Sequence, residues 1–354
     1  MEGKLDTQTP QYNGKPTAYL DQNILDMFVK HESLGFAELL KSKFQVVYSD
    51  ENLKEIRRSG NYADQFLKVL ERLNAFHLKI VLEQPGFVVT DQATLTNCDP
   101  LDAFNEFCQN VSEYHNVLKA MEQPVFKYSG GRVGEGVAEI HDEQKVVFSK
   151  LLDQINEHSV EFSVDIPGIE RVIKEHGESL RAQLETSLNE LERMMKENIS
   201  DDTTWCGIKD FRAAVGFGAK ELNAIEPPNV LHQIWEKYRV TPQYENTNID
   251  IDTFFGLDQN PLYPSQPYFN HQKVTMIYFK LNTFGYYPDS QIHKERRFIA
   301  SLSDTGHASF ASFCNVLFSR DEYFVKKVKA AYEYLNIPTV VQYLIAKNSS
   351  RFQK

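Results

Sequence analysis

Short apolar segments alternate with helical patterns at both ends of this 354-residue chain, and this alternation limits the folds open to it. Segments rich in β-branched and aromatic residues predict strands at Thr17 to Leu20, Phe44 to Tyr48, Phe76 to Leu82, Val316 to Ser319 and Thr339 to Leu344. Between them, apolar residues recur at the three- and four-residue steps of amphipathic helices. The sequence therefore predicts an α/β fold with a central parallel sheet.

The middle of the chain has a different pattern, in which long helical segments dominate. The longest, from about Ile169 to Ile199, carries a continuous apolar stripe that packs either against neighbouring helices or against a second protomer in a coiled coil. The glycine-rich stretch at 129–136 follows no strand and is interpreted as a linker. We predict five segments: an N-terminal tail 1–16, a first half of the core 17–82, a mainly helical insertion 83–289, a second half of the core 290–345 and a C-terminal tail 346–354.

The composition is that of an ordinary globular protein, with 42% hydrophobic and 25% charged residues. No apolar run approaches the roughly 20 residues that a membrane span needs, and the first residues lack the pattern of a secretory signal. The four cysteines form no C-x-x-C pair, which argues against a structural zinc site or a disulfide framework. A cytoplasmic protein with free thiols is expected.

Acidic residues follow the predicted strands. Asp21 comes directly after the first strand, Glu55 lies on the helix after the second, and Asp321 follows the strand Val316 to Ser319. Asp304 is predicted in the first turn of a helix that Ser303 caps. Because open parallel sheets bind ligands beyond the carboxyl ends of their strands, we expect these acids to converge. Such acids repel one another unless a cation neutralises them, and Mg²⁺ or Mn²⁺ prefers oxygen ligands.

Four short segments resemble, in order, the motifs of the PIN-like nuclease family. Tyr19 to Leu25 resembles the first motif, an apolar strand, Asp, any residue, Asn and two aliphatic residues. Val46 to Ile56 resembles the second, and Ser303 to Ala311 the third. Asn315 to Asp321 resembles the fourth, a strand followed by Ser or Thr, any residue and Asp. The resemblance covers 17–82 and 290–345, and the insertion between them departs from the family.

The resemblance implies a three-layer α/β/α fold with a central parallel sheet, split here by a mostly α-helical insertion. It also implies an endoribonuclease that acts on RNA in preference to DNA and uses Mg²⁺ or Mn²⁺. The implied catalytic and metal-binding residues are Asp21, Glu55, Asp304 and Asp321, with Glu55 ligating the metal or ordering the attacking water. The implied supporting residues are Asn23, Ser319 and His307, although a histidine at the position of His307 is more often a hydrogen-bonded core residue than a ligand.

Basic residues for nucleic-acid binding are clustered locally, although the net charge of -11 counts against a basic surface. The candidates are Lys54, Arg57, Arg58, Lys294, Arg296 and Arg297, with a further group at Lys326, Lys327 and Lys329. A solvated helix face is the more common role of any one such group.

Two other functional classes stay open. A degenerate PIN-like scaffold would bind a protein regulator, or a second copy of the chain, through the insertion. A haloacid-dehalogenase-like phosphatase also begins with Asp after a strand, but it needs a second Asp where this chain has Asn23.

Overall fold

The computed structural model describes residues 12–31, 34–83, 88–162, 169–200, 202, 204–258 and 267–345. These residues divide into two compact units. The first unit holds the described residues of 1–105, Phe269–Thr275 and 306–354, and the second holds those of 106–268 and 276–305. Each unit is therefore built from segments that are distant in sequence.

The described part of the first unit contains a six-stranded sheet with the order β4-β3-β2-β1-β5-β6. Its strands are β1 (Thr17–Leu20), β2 (Gln45–Ser49), β3 (Phe76–Glu83), β4 (Val88–Thr96), β5 (Val316–Ser319) and β6 (Val340–Tyr343). Neighbouring strands are parallel except for the β3 and β4 pair, which is antiparallel. This confirms the predicted α/β class with a largely parallel central sheet.

The helices of the described residues lie between and after these strands. In chain order they are α1 (Gln22–Lys30), α2 (Leu34–Lys43), α3 (Asp50–Arg58), α4 (Ala63–Arg72), α5 (Pro100–Tyr128), α6 (Val137–Phe162), α7 (Ile169–Asn198), α8 (Gly207–Val215), α9 (Ala219–Leu222), α10 (Val230–Tyr238), α11 (Ile251–Phe255), α12 (Asn270–Phe284), α13 (Glu295–Ala311) and α14 (Glu322–Tyr334). A single 3-10 turn, Gly60–Tyr62, separates α3 from α4.

Strand β1 is central because it pairs on both sides, with β2 and with β5. All four of its residues are buried, as expected for a continuous apolar run inside a parallel sheet. Thr17 and Tyr19 are its two residues with a hydroxyl, and the hydroxyl of Tyr19 lies in the core and must be hydrogen-bonded there. The partners of that hydroxyl belong to the candidate site.

Two sequence-based predictions about local structure are wrong. Helix α13 begins at Glu295, so Ser303 is a fully buried interior residue and does not cap the start of this helix, and Asp304 lies in the third turn. The segment after Glu83 does not begin a helical region, because Val88–Thr96 forms strand β4 against β3. This strand is half exposed and carries Asp91 and Gln92, so it lacks the apolar run that marked the other strands.

Helices α6 and α7 pack together within the second unit. Val137, Ile140 and Met195 form a buried cluster, and Leu191 packs against it. The C-terminal part of the predicted α7 stripe therefore packs within the chain, while its N-terminal residues Ile169 to Leu184 lie outside the residues whose side chains are described. The glycine-rich segment before α6 forms a hydrogen-bonded turn, with Arg132 bound to Glu135 and Glu143.

The four cysteines are free thiols, and Cys314 is buried in the first unit. Within the described ranges, no helix combines the length and the apolar character needed to cross a bilayer.

Candidate active site

Asp21 lies where β1 ends and α1 begins, and only 4% of the residue is exposed. It occupies the N-cap position of α1, but its side chain makes no capping hydrogen bond. Instead, its Oδ2 accepts hydrogen bonds from Ser319 Oγ at 2.6 Å and from Asn23 Nδ2 at 2.5 Å. The carboxylate is therefore held toward the end of β5 and is not used to start its own helix.

The turn after β5 is fastened to the start of α1. Asn23 Nδ2 lies 3.2 Å from Ser319 Oγ, and Asn23 Oδ1 accepts from the backbone N–H of Arg320 at 2.8 Å. Ser319 Oγ also accepts from the backbone N–H of Asp321 at 3.0 Å. Asn23 and Ser319, predicted as supporting residues, thus link Asp21 to the turn that carries Asp321.

Asp321 is exposed and caps α14, since its Oδ1 accepts from the backbone N–H of Phe324 at 3.0 Å. A helix cap of this type stabilises a helix by about 1 kcal/mol. Its negative charge also contributes to raising the pKa of Asp21. Asp321 therefore has a structural role and an electrostatic connection to Asp21 at the same time.

His307 connects Glu55 to the central strand. The residue is only 1% exposed, and its Nε2 lies 3.4 Å from Glu55 Oε2, while its Nδ1 lies 2.8 Å from Tyr19 Oη. Glu55 Oε1 accepts from Arg58 Nη2 at 3.0 Å. Both oxygens of Glu55 are thus oriented by cationic side chains.

Helix α3 is fixed to β1 by buried polar groups. Tyr19 Oη lies 2.7 Å from Ser49 Oγ, and Ser49 caps α3 together with Asn52. Asn52 Nδ2 in turn donates to the backbone carbonyl of Leu20 at 3.2 Å. Because Ser49 caps α3 and Glu55 lies in the second turn of that helix, these bonds set the position of Glu55 relative to Asp21.

Burial and charge perturb both titratable residues at the centre of this network. Burial raises the pKa of Asp21, with further increases from Glu55 and Asp321, and the charge of His307 and the Ser319 hydrogen bond oppose the rise. Burial lowers the pKa of His307, but the Glu55 hydrogen bond and the charges of Glu55, Asp21 and Glu51 outweigh it and raise that pKa to about 9. At neutral pH His307 is therefore a buried cation beside acids.

The predicted acid Asp304 belongs to the second unit, whereas His307, one turn later on α13, belongs to the first. Tyr278 Oη donates to Asp304 Oδ2 at 3.4 Å. Within the first unit, Asp21 interacts electrostatically with Glu55 and with Asp321. In the described part of the chain, no three histidine, cysteine, aspartate or glutamate side chains form a group able to hold a metal ion.

The predicted nucleic-acid-binding residues differ in their exposure and in whether their charges are paired within the chain. In α3, Lys54 lies 3.6 Å from Glu51, Arg58 is exposed but pairs with Glu55, and Arg57 is exposed. In the second unit, Lys294, Arg296 and Arg297 are exposed. Lys327 is fully buried, so the expectation that it contributes to a basic surface is wrong.

Tyr19, Ser49 and Glu51 belong to the network but were missed as site residues. A tyrosine inside an otherwise apolar central strand was the available signal for Tyr19, because its hydroxyl requires a buried partner. Gly306 was missed as well. A Cβ atom at Gly306 would lie 2.6 Å from Glu51 Oε2, so the glycine permits α13 to approach α3. A glycine inside a helix is a signal for such a close approach.

No family model matches the chain, and neither the curated proteins nor the solved structures give a match. The PIN-like resemblance therefore stays a prediction from four short motifs. The geometry of the network is the remaining basis for a function.

Proposed function

We propose that this chain is a divalent-metal-dependent nuclease, an endoribonuclease of PIN-like type that hydrolyses phosphodiester bonds and favours RNA over DNA. The observation that supports it most is the buried carboxylate of Asp21 at the end of the central strand. Its pKa is raised by burial and by Glu55 and Asp321, so keeping the carboxylate charged is unfavourable for the fold. Titratable groups perturbed in this way are concentrated at functional sites.

The chemistry of these side chains fits Mg²⁺ or Mn²⁺. Carboxylate oxygens are the ligands that such cations prefer, and a cation would relieve the repulsion among Asp21, Glu55 and Asp321. Magnesium is commonly held by one or two carboxylates, several waters and the phosphates of the substrate. A group of three protein ligands is therefore not required before substrate binds.

Each residue has a defined task in this proposal. Asn23 and Ser319 hold Oδ2 of Asp21, so the other carboxylate oxygen would be the one available to a bound cation. His307 and Arg58 orient Glu55, which holds the attacking water. A bound divalent cation would supply charge stabilisation at the phosphate and a lowered pKa for water.

Asp304 enters the proposal through the motif resemblance alone, as a further acid for the cation. A substitution Asp304→Asn tests this assignment separately. We expect the loss of cleavage to match that of the Asp21 variant, and unchanged cleavage would remove Asp304 from the proposal.

The cleavage experiment compares wild-type chain with Asp21→Asn on an end-labelled single-stranded RNA in the presence of Mn²⁺. Asp26→Asn is a matched control, since Asp26 lies on α1 and pairs with Lys30 at the surface. Loss of a residue that orients a metal ligand costs roughly 10- to 100-fold in activity, so Asp21→Asn should lose more. Equal cleavage by wild type and Asp21→Asn would refute the proposal.

A second candidate is a catalytically degenerate PIN-like scaffold that binds a protein partner, or another copy of itself, through the helical insertion. Two observations favour it: the imidazolium of His307 already places a cation beside the acids, and the Asp321 carboxylate caps a helix. Under this candidate the wild-type chain cleaves no faster than Asp21→Asn with either Mg²⁺ or Mn²⁺.

A further inference from the structure

Two polar side chains of α6, in the second unit, are enclosed without the hydrogen bonds that such groups normally make. His141 is 1% exposed and Gln144 is fully buried. Within the described residues, His141 Nε2 and Gln144 Oε1 are both shielded from solvent and neither has a hydrogen-bond partner. The two residues are three positions apart on one helix, so their side chains are neighbours on one face. Because buried polar atoms are nearly always hydrogen-bonded, this pair of atoms calls for a ligand.

Helix α7 orients the ring of His141. The Nδ1 atom of His141 lies 3.4 Å from Glu192 Oε1, and Glu192 is itself bound by Lys196 Nζ at 2.8 Å. A carboxylate beside Nδ1 favours a proton on that nitrogen, which leaves Nε2 of a neutral imidazole as a hydrogen-bond acceptor. The imidazole therefore faces α7 through Nδ1 and has an unused lone pair on Nε2.

Helix α5 orients the amide of Gln144. Its Nε2 donates to the backbone carbonyl of Ala120 at 3.1 Å, so its Oε1 remains as an acceptor. The two atoms without partners are thus both acceptors while His141 is neutral, and neither can satisfy the other. Val137 and Ile140, which flank His141 on α6, belong to an apolar buried cluster and offer no side-chain donor.

We propose that His141 and Gln144 form a proton-binding site that joins α5, α6 and α7 at mildly acidic pH. Protonation converts Nε2 of His141 from an acceptor into a donor. The imidazolium then donates from Nε2 to Gln144 Oε1 and faces the Glu192 carboxylate through Nδ1, so one proton satisfies both enclosed atoms and adds a charge-assisted contact. Histidine suits this task because its charge ordinarily changes between pH 5 and 8.

The charged groups around this pair determine what holds the proton. Glu192 on α7 is the acid at ion-pair distance from His141, and the charges of Lys196 and Lys145 also act on Glu192 and compete with the imidazolium for it. Other charged side chains of the three helices have partners of their own: Lys145 with Asp142, Glu143 with Arg132, and Lys119 with Glu295. On α5, the described group beside Gln144 is the uncharged carbonyl of Ala120. Glu192 and the oxygen of Gln144 are therefore the groups that stabilise the imidazolium.

Hydrogen exchange of the backbone amides of α5, α6 and α7 tests this site in the full chain. Exchange is measured near pH 8 and near pH 5.5 and corrected for the intrinsic effect of pH on amide exchange. The variants are His141→Asn and Gln144→Leu, the second of which removes the acceptor and keeps a side chain of similar size. His293→Asn is the control, because His293 is exposed in the same unit. The nitrogen-15 shifts of the His141 ring in wild type are an independent readout of its protons.

In wild type we expect exchange from the three helices to slow about tenfold between the higher and the lower pH, because a hydrogen bond to a charged group contributes at least this factor. His141→Asn and Gln144→Leu should lose this pH dependence, whereas His293→Asn should keep it. The ring shifts should show both nitrogens of His141 protonated at the lower pH.

Two results would overturn the proposal. If an enclosed water bridges the two acceptors in place of the proton, Gln144→Leu will speed exchange equally at both pH values. If the wild-type ring keeps a single protonated nitrogen at the lower pH, His141 binds no proton there, and this result holds even where a variant fails to fold.

Discussion

The substitution Glu55→Gln should lower the pKa of His307, because Glu55 is its hydrogen-bond partner and the largest negative charge acting on it. His307 is fully enclosed, so water cannot replace the lost charge. Glu71→Gln is the control, since Glu71 lies on an exposed position of α4 in the same unit. The control should leave the pKa of His307 at about 9.

The size of the effect follows from the geometry. A hydrogen bond to a charged group contributes about 1.5 to 3 kcal/mol, and the 3.4 Å distance between His307 Nε2 and Glu55 Oε2 favours the lower end. Since 1.36 kcal/mol corresponds to one pH unit, the pKa of His307 should fall by roughly one pH unit. The charges of Asp21 and Glu51 keep the pKa above its ordinary value of 6.5.

The same pKa predicts how stability depends on pH. Because the pKa of His307 is raised on folding, its imidazolium stabilises the fold below pH 6.5, and this contribution is lost as the pH rises through about 9. The full contribution is on the order of 3 kcal/mol. The difference in free energy of unfolding between wild type and His307→Asn should therefore shrink between pH 6.5 and pH 9.

Nuclear magnetic resonance titration of the imidazole carbons is the direct assay, with the His307 signal assigned as the one that His307→Asn removes. We expect a midpoint near 9 in wild type and near 8 in Glu55→Gln. A wild-type midpoint at or below 6.5, or an unchanged midpoint in Glu55→Gln, would refute the electrostatic reasoning.

Three further predictions concern stability measured by urea unfolding. Ser319→Ala should destabilise the first unit by about 2 kcal/mol, because Asp21 loses a charge-assisted hydrogen bond, whereas Ser42→Ala at an exposed hydroxyl should have little effect. Asp21→Asn should raise the free energy of unfolding at pH 7, because the folded state raises the pKa of the Asp21 carboxyl and the ionised carboxylate therefore disfavours the fold. This difference between the variant and wild type should vanish as the pH falls toward 4, where the wild-type carboxyl is protonated. Gly306→Ala should lower the free energy of unfolding by about 1 to 3 kcal/mol, because the added Cβ atom clashes with Glu51. In a Glu51→Ala background the clash is absent, and the same substitution should be neutral or stabilising because alanine favours helix. A Gly306→Ala effect that is independent of Glu51 would contradict the close approach of α13 to α3.

Most of the sheet could be predicted because its inner strands are buried on both sides. Such strands are short continuous apolar runs, and β1 and β5 lie within their predicted bounds. Strand β4 pairs on one side only and is partly exposed, so its sequence alternates with polar residues and lacks that signal. Its β-branched residues, Val88, Val89 and Thr90, were the available indication of a strand.

The candidate acids could be identified from the sequence because most of them follow strand ends. The contacts and charges that surround each acid could not be predicted from the sequence. Ser303 and Asp304 have the residue types of a helix start, yet they lie inside α13, where tertiary packing rather than local capping determines the conformation. The charge state of His307 depends on Glu55, which is 252 positions away in the chain. Contacts of this kind arise from the fold as a whole and leave no local pattern.

The measurement that tests the central claim most directly is the effect of Mn²⁺ on the imidazole signals of the histidines. If Asp21, Glu55 and Asp321 attract a divalent cation, substoichiometric Mn²⁺ should broaden the His307 signal first, and Asp21→Asn should remove this broadening while Asp26→Asn preserves it. Broadening that spares His307, or that persists unchanged in Asp21→Asn, would contradict a cation site at the end of the central strand.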